Sequence, residues 1–322
     1  MKKLLALILA LSMIFVFCAC GNADTGSDSK NAKYTVGICQ IEQHVALDAA
    51  TEGFKEALKE KLGDSVKFEE KNANGESNAC ATIINGFVSS NVDLIMANAT
   101  PVLQTAAAAT TTIPILGTSV TEYGVALEID NFSGTVGGNI SGTSDLAPLD
   151  EQAQMLIDLV PTAKKVGLLY CSAEANSGYQ VKVVKKYLEG KGLECKEFKF
   201  SDGNDLATVT TAACQYSDVI YVPTDNKAAS STGVIDGICR PAKVPVIAGE
   251  EGICSGCGIA TLSISYKELG RKTGIMAAKI LKGEADISEM PIEYDTNYVK
   301  KYNKAICDEL GIKIPEGFVA ID

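Results

Sequence analysis

Tryptophan is absent from the 322 residues, and histidine occurs once, at His44. One imidazole excludes a multi-histidine metal centre and leaves a serine or cysteine nucleophile with a single possible base. Nucleotide-binding signatures are missing too. VGICQIEQ stands where G-x-G-x-x-G would follow a first strand, GTVGGNISG misses that spacing, and GRKTG at 270–274 places Arg271 where a P-loop needs glycine. No G-x-S-x-G elbow occurs. These absences argue against an enzyme, and no cofactor or metal is expected. Basic residues are in deficit, 29 Lys and Arg against 40 Asp and Glu, for a formal charge of −11. Without a basic stripe interleaved with aromatics, nucleic acid is excluded as a partner. After residue 20 no apolar run approaches the length needed to span a bilayer.

The long apolar run lies at the start. Met1-Lys2-Lys3 precede an apolar stretch from Leu4 to Ala19, broken only by Ser12, and Phe17-Cys18-Ala19-Cys20-Gly21 closes it. This is a charged n-region, an apolar h-region and a small residue before a cleavage point. The run is shorter than the roughly 20 residues of a membrane span. A small residue followed by Cys resembles the lipobox of bacterial lipoprotein signals, which implies cleavage before Cys20 and a diacylglyceryl group on its sulfur. Phe17 stands where Leu is commoner, and Cys18 is the poorer site because bulky Phe17 would occupy its cleavage position. Residues 1–19 are thus expected to be a signal peptide. Residues 20–33, with no large apolar side chain, are expected to be a flexible tether.

Of 11 cysteines, Cys18 would leave with the leader and Cys20 would carry lipid, and an odd number remains between Cys39 and Cys307. That is no disulfide framework of a small domain. The cysteines read as small buried apolar residues, with thiols that persist if the organism lives with little oxygen. Cys254-Ser-Gly-Cys257 is a C-x-x-C without a second pair at metal spacing, and reads as a local loop or optional disulfide.

From Tyr34 onward, short β-rich runs alternate with helical patterns. Strands are expected at 34–40, 66–70, 93–98 and 113–118, and again, after the Gly/Ser-rich stretch Gly134–Gly142, at 166–170, 195–200, 218–222 and 244–248. Helix 45–62 places Leu47, Ala50, Phe54, Leu58 and Leu62 on one face and stops at Gly63. Further helices are expected at about 150–160, 177–190, 204–214 and 226–239, and Tyr266, Leu269, Thr273, Met276 and Ile280 line another that stops at Gly283. A Pro-led strand (PIEY) and a helix near 298–310 follow. The βαβα alternation predicts an α/β protein of two Rossmann-like lobes, each with a parallel sheet. Both halves repeat a motif, DLIMANAT at 93–100 and DVIYVPT at 218–224, each followed by a helix and an x-Pro strand. The expected division is lobe 1 at 34–148 plus about 262–284 and lobe 2 at 149–261 plus about 285–322, the lobe that takes 285–322 being left open by the sequence, with ligand held where the strands' carboxyl ends face a shared crevice.

VGICQIEQHVALDAATEGFKEAL, DLIMANATPVLQTA, GNISGTSD, AEANS, YVPTDN and YKELGRKTG followed by KILKGE, in this order behind a lipobox, resemble one family: the substrate-binding lipoproteins of ABC transporters, in the tryptophan/tyrosine-binding group with the type I periplasmic-binding-protein-like fold. The resemblance spans about residues 34–315. It implies two α/β lobes joined by a three-segment hinge that close on a small solute, an amino acid with aromatic ones favoured. It also implies delivery to an ABC permease and its ATPase, no cofactor, a monomer, and lipid anchoring at the outer face of the cell membrane. A ligand-sensing receptor domain for a membrane signalling protein would use the same trap and is the alternative. Two departures fall near the expected cleft: Val120-Thr121-Glu122-Tyr123 where the family has V-T-D-P, and Cys171 where it often has Asn.

An amino acid's carboxylate asks for hydroxyls or free backbone N–H groups, as at a helix N-terminus. Thr100 before Pro101, Asn176-Ser177, and Thr224-Asp225-Asn226 each follow a strand and open a helix, a position that plain capping also explains. The ammonium asks for a carboxylate, with Asp225 ranked ahead of Glu42 and Glu250. The family-like QIEQHVALD segment adds Gln40 and His44, and the departing turn adds Thr121 and Glu122. Tyr123, Tyr179 and Tyr221 are candidate pocket walls, with core packing equally in view. Lipid attachment has a direct test: intact-mass analysis of membrane-extracted protein should find the diacylglyceryl mass on wild type and none on Cys20→Ala, and an unlipidated wild type would overturn the lipobox reading.

Overall fold

The computed structural model describes residues 32–321, so the leader, Cys20 and nearly all of the tether lie outside the described residues. The first half of the chain lays down β1 (Tyr34–Gln40), β2 (Val66–Asn72), β3 (Leu94–Asn98), β4 (Ile115–Val120) and β5 (Ile140–Ser144). Helices α1 (Val45–Leu62), α2 (Ser77–Ser89), α3 (Thr100–Ala109) and α4 (Tyr123–Ala126) connect or follow them. The second half supplies β6 (Lys165–Cys171), β7 (Glu194–Phe200), β8 (Val219–Val222), β9 (Val246–Ala248) and β10 (Ala260–Ser263). Its helices are α5 (Leu149–Leu159), α6 (Ala175–Gly190), α7 (Leu206–Tyr216), α8 (Asn226–Ala229), α9 (Thr232–Cys239) and α10 (Glu251–Cys257). Then come α11 (Tyr266–Lys282), β11 (Glu293–Tyr294), β12 (Val299–Asn303), α12 (Lys304–Leu310) and β13 (Val319–Ile321).

These make two sheets. The six-stranded sheet of lobe 1 has the order β11-β5-β4-β3-β1-β2, and the seven-stranded sheet of lobe 2 has β13-β12-β10-β9-β8-β6-β7. Every pairing is parallel except β10 with β12. The central strands are buried along their length, as β3, β4 and β8 show. Continuous burial is what parallel strands covered by helices on both faces require. The chain passes between lobes after β5, after β10 and after β11. Among the described residues, no helix is long and apolar enough to cross a membrane.

The lobe boundaries differ from the expected ones. Leu262 and Ser263 belong to β10 in the second sheet, so the return to lobe 1 begins only beyond them. Residues 285–294 stay with lobe 1, because β11 pairs with β5 and the apolar Ile287 and Ile292 are buried in that lobe's core. Only the segment from β12 onward joins lobe 2. The helix expected near 298–310 is half strand: Val299–Asn303 pairs antiparallel with β10, and α12 begins at Lys304 after the cap of Asn303. The helix expected at 226–239 is broken at Ser230-Ser231 into α8 and α9.

Helices α1 and α11 pack tightly on the lobe 1 sheet. The faces expected from their periodicity are buried: Leu47, Ala50, Phe54 and Leu58 on one, Tyr266, Leu269, Thr273 and Met276 on the other. Both stop at a glycine with positive φ, Gly63 at 55° and Gly283 at 72°. Between them stand Gly53, Gly270 and Gly274. A Cβ on Gly53 would overlap the Lys267 carbonyl oxygen, one on Gly270 the Ala50 carbonyl oxygen, and one on Gly274 would come within 2.6 Å of the Phe54 carbonyl oxygen. The contact is backbone on backbone, with no flexible side chain to yield. Arg271 bridges Glu60 with both guanidinium amines, at 2.8 and 2.9 Å, but at the exposed rim, where such pairs contribute little. Gly270→Ala should therefore lower the unfolding free energy by about 1–3 kcal/mol in urea denaturation, the usual range for overpacking. A variant as stable as wild type would show that the two helices can part at no cost.

Candidate functional site

The carboxyl ends of β1 and β4 in lobe 1 and of β6, β8 and β9 in lobe 2 converge on one small, partly enclosed cavity of about 10 Å³, little more than the room of one water. Ligands of open α/β sheets lodge at such ends. Lobe 1 lines it with His44, Leu47, Ser119, Thr121 and Asp145. Lobe 2 contributes Asn176, Thr224, Asp225, Asn226, Ala229 and Glu250, and Tyr266 reaches in from the crossing into α11. The two lobes touch at its rim. Lys227 Nζ of lobe 2 lies 2.8 Å from Glu42 Oε2 of lobe 1, and His44 Nε2 lies 3.2 Å from Asn226 Oδ1. A wider groove on lobe 1, flanked by Lys55, Lys59, Glu52 and Glu70, is open and belongs to one lobe, and no strand ends from lobe 2 meet there.

Of the residues selected from sequence, His44, Thr121, Asn176, Thr224, Asp225, Asn226 and Glu250 line the cavity. Ser177 stands one layer behind and donates to Asp225 Oδ2 at 2.7 Å. The others are drawn elsewhere. Gln40 is tied into a lobe 1 network, donating to Asp48 Oδ1 at 2.7 Å and to the Glu42 carbonyl at 2.8 Å while accepting from Thr51. Glu42 is held by Lys227. Glu122 accepts from the Val125 N–H as the cap of α4, and Thr100 is buried at the start of α3. Tyr123 and Tyr221 are core side chains, their hydroxyls donating to the Thr143 carbonyl at 3.1 Å and to Gln152 Oε1 at 2.8 Å, and Tyr179 packs against the lobe 2 core. Cys254 and Cys257 sit on α10, both buried.

Sequence reasoning missed Asp145, Ser119, Tyr266 and Glu174. Asp145 ends the GNISGTSD segment just past β5, where the chain leaves lobe 1. Its position as the last polar residue before a crossing was the available signal. Ser119 carries a positive φ of 54° at a register break between β4 and β5, and strained backbone of this kind collects at binding sites.

The cavity is rich in buried carboxylates. Asp225 accepts from Ala228 N–H at 2.8 Å, Cys171 N–H at 2.7 Å and Ser177, so both oxygens are engaged, and burial pushes its carboxyl above the ordinary range. Glu174, behind it, accepts from Asn226 Nδ2 at 2.6 Å, from the Asn226 and Lys227 N–H groups and from Asn176. Burial and the neighbouring Asp225 still push it up. Glu250 caps α10 through the Gly252 and Ile253 N–H groups, and burial takes it to about 7. Asp145 differs. Oδ2 accepts from the Tyr266 hydroxyl at 2.9 Å, and Oδ1 is buried with no partner in the protein. Burial raises this carboxyl as well.

His44 Nδ1 and Asn176 Oδ1 are buried and unpartnered likewise. Asn226 turns its amide nitrogen to Glu174, so its Oδ1 accepts from His44 Nε2–H. Burial lowers the His44 pKa and favours the neutral ring, which leaves Nδ1 as an acceptor. The cavity thus presents three free acceptors, His44 Nδ1, Asp145 Oδ1 and Asn176 Oδ1, and no Lys or Arg in its lining. Ser119 Oγ is unpartnered as well, and His44, the cap residue of α1, supplies no side-chain bond to the first-turn N–H groups. Such a site is built for a ligand with a cationic N–H group and a region of negative charge. No grouping of His, Cys, Asp and Glu fit for a metal occurs among the described residues.

The model for ABC transporter substrate binding proteins matches residues 35–321. A tyrosine-binding protein of Clostridioides difficile is 34% identical over 305 residues, covering 90% of this chain and 87% of the relative. Among solved structures, the ABC domain in complex with L-Trp from Streptococcus pneumoniae has a TM-score of 0.85 at 31% identity, over 90% of this chain and 100% of that one. The ligand-free, open structure of a Clostridium difficile substrate-binding protein with adhesive properties has a TM-score of 0.68 at 35% identity, over 90% and 99%. The chain thus superposes better on the ligand-bound structure than on the open one despite lower identity. The lobe-to-lobe contacts of Glu42 and His44 agree with that.

The raised Glu250 has a consequence for stability. Its folded pKa of about 7 exceeds the ordinary 4.5, so the folded protein holds this proton more tightly than the unfolded chain. The stabilisation is complete below the ordinary value and is lost as pH rises to about 7. Relative to wild type, Glu250→Gln should therefore gain on the order of 3 kcal/mol between about pH 4 and pH 8. Paired denaturation curves across that range would read it, and a pH-independent difference would overturn the assignment.

Proposed function

The chain belongs to the ABC transporter substrate-binding protein family, and we propose that it captures an amino acid, an aromatic one by preference, in the cavity between its lobes. The observation that carries this reading is the set of three buried free acceptors. A primary ammonium has three N–H donors and a full positive charge, and it would answer His44 Nδ1, Asn176 Oδ1 and the raised carboxyl of Asp145 together. A neutral sugar or nucleobase would leave Asp145 uncompensated. The ligand's carboxylate would lie towards Ser119 and the N-terminal turn of α1, where N–H groups and the helix dipole favour negative charge. Leu47, Ala229 and the Tyr266 ring are the apolar surfaces left for a side chain. The aromatic preference draws on the tyrosine-binding relative and the Trp-bound neighbour.

His44 and Asp145 belong to lobe 1 and Asn176 to lobe 2, so one ligand would bind both lobes only when they are closed. That differential contact selects the closed state. Lipid on Cys20 and the tether of residues 20–33 would hold the monomeric domain at the outer face of the cell membrane, within reach of an ABC permease and its ATPase.

Isothermal titration tests the reading. L-tyrosine and L-tryptophan should bind with Kd near micromolar, or roughly −8 kcal/mol. Their N-acetyl derivatives, which lack the ammonium, and the Asp145→Asn variant with the free amino acids should each bind at least tenfold more weakly, because a buried charge then goes unpaired. Equal affinity for acetylated and free amino acids would overturn the ammonium assignment.

A further inference from the structure

The cysteines pair in space differently from their order in sequence. The C-x-x-C at 254–257 is not a facing pair: Cys254 Sγ donates to the Gly258 carbonyl at 3.8 Å and Cys257 Sγ to the Ile253 carbonyl at 3.4 Å. Cys214, near the end of α7, and Cys239, the last residue of α9, instead bring their sulfurs to 3.4 Å across the contact between those helices. Both are free thiols. Cys239 is buried, while Cys214 is half-buried. In lobe 1, Cys39 and Cys80 are also neighbours, but both are fully buried between β1 and α2.

We propose that Cys214 and Cys239 form an oxidisable pair that closes to a disulfide in the folded protein on meeting a disulfide oxidant, stapling α7 to α9 on the outer layer of lobe 2. Cys214, the less buried of the two residues, is the point of attack. The contact with Cys239 holds the Cys214 thiol below its ordinary range while burial opposes the shift, and the thiolate is the attacking species. Cys214 attacks one sulfur of the oxidant, breaks its S–S bond and expels one thiolate. Cys239 then gives up its proton, attacks Cys214 Sγ in the mixed disulfide and expels the second thiol. The oxidant takes both electrons and leaves as two thiols carrying the two protons. Closing the bond brings the sulfurs from 3.4 Å to roughly 2.05 Å. Cys39 and Cys80 have the neighbour without the access, so the native fold protects them from the same reagent. The cavity between the lobes lies apart from this site, and the inference does not depend on what binds there.

The test uses the natively folded wild-type protein incubated with oxidised glutathione, alkylated, and mapped by non-reducing peptide mass spectrometry. The expected result is the loss of two alkylatable thiols and a cross-linked peptide joining Cys214 to Cys239. The melting temperature should rise by on the order of 5 °C, reversed by reductant. Cys214→Ser should show neither the cross-link nor the shift. Peptide mapping of wild type decides the matter even if that variant folds poorly. Thiols that all remain alkylatable, Cys214 found only as a mixed disulfide with glutathione, or a cross-link at Cys254–Cys257 in place of this one would each overturn the proposal.

Discussion

Two helices from distant parts of the chain, α1 and α11, approach until backbone meets backbone at Gly53, Gly270 and Gly274. This contact governs the rest of the molecule because of what each helix carries at its N-terminal end. Helix α1 begins at His44, so its position sets one wall of the cavity. Helix α11 begins at Tyr266, the first turn after the chain leaves lobe 2, and its hydroxyl meets Asp145 just past β5. Two of the lobe crossings are thereby joined by a hydrogen bond at the base of the cleft, and both are referred to α1. A larger residue at Gly270 would push α11 outward and move Tyr266 relative to Asp145. The glycines permit a close approach with no side-chain entropy to lose and no rotamer to adjust, which suits a contact that must fix a hinge.

The cavity inherits a particular electrostatic problem. Asp145, Asp225 and Glu250 line it, with Glu174 behind, and burial raises each carboxyl. Three of the four are answered from within by helix N-terminal N–H groups: Asp225 caps α8, Glu250 caps α10, and Glu174 accepts from the first N–H groups of α8. Lys227, at the start of α8, is occupied by Glu42 across the lobes. Asp145 alone keeps a free oxygen. Closing the lobes without a cationic ligand strips water from that oxygen and from the free acceptors of His44 and Asn176, and each unmet buried polar group costs about 1–3 kcal/mol. The arrangement proposed to bind an ammonium would thus oppose closure in its absence and make closure depend on ligand.

Much of this was legible in the sequence, and the exceptions share a cause. Period-2 and period-3.6 patterns carried the strands and helices because burial on covered sheets writes itself into local composition. The residues opening α6 and α8 were legible because strand-to-helix junctions in a parallel sheet fall at the ligand crevice. Asp225 was read as the ammonium partner on its position alone, yet Cys171 and Ser177, distant in sequence, occupy its oxygens. Asp145 is marked in the sequence only by its place before a crossing, and its burial with one oxygen on Tyr266 and the other unpartnered is a tertiary feature. The lobe that takes residues 285–294 was not legible, because a two-residue strand leaves no periodicity, and what holds it is the burial of Ile287 and Ile292 against lobe 1.

The absence of tryptophan acquires a sense in this light. The cavity has few apolar walls, Leu47, Ala229 and the ring of Tyr266, the one aromatic side chain in its lining. Tyr123 and Tyr221, which could have served as stacking surfaces, are spent in the cores with their hydroxyls bonded. Discrimination then cannot come from aromatic stacking alone. It would come from anchoring the charged end of the ligand at the three acceptors. A site of that kind separates amino acids from other solutes sharply, because a missing ammonium strands a buried carboxylate. It separates one apolar side chain from another more softly, since that difference is paid only in buried area.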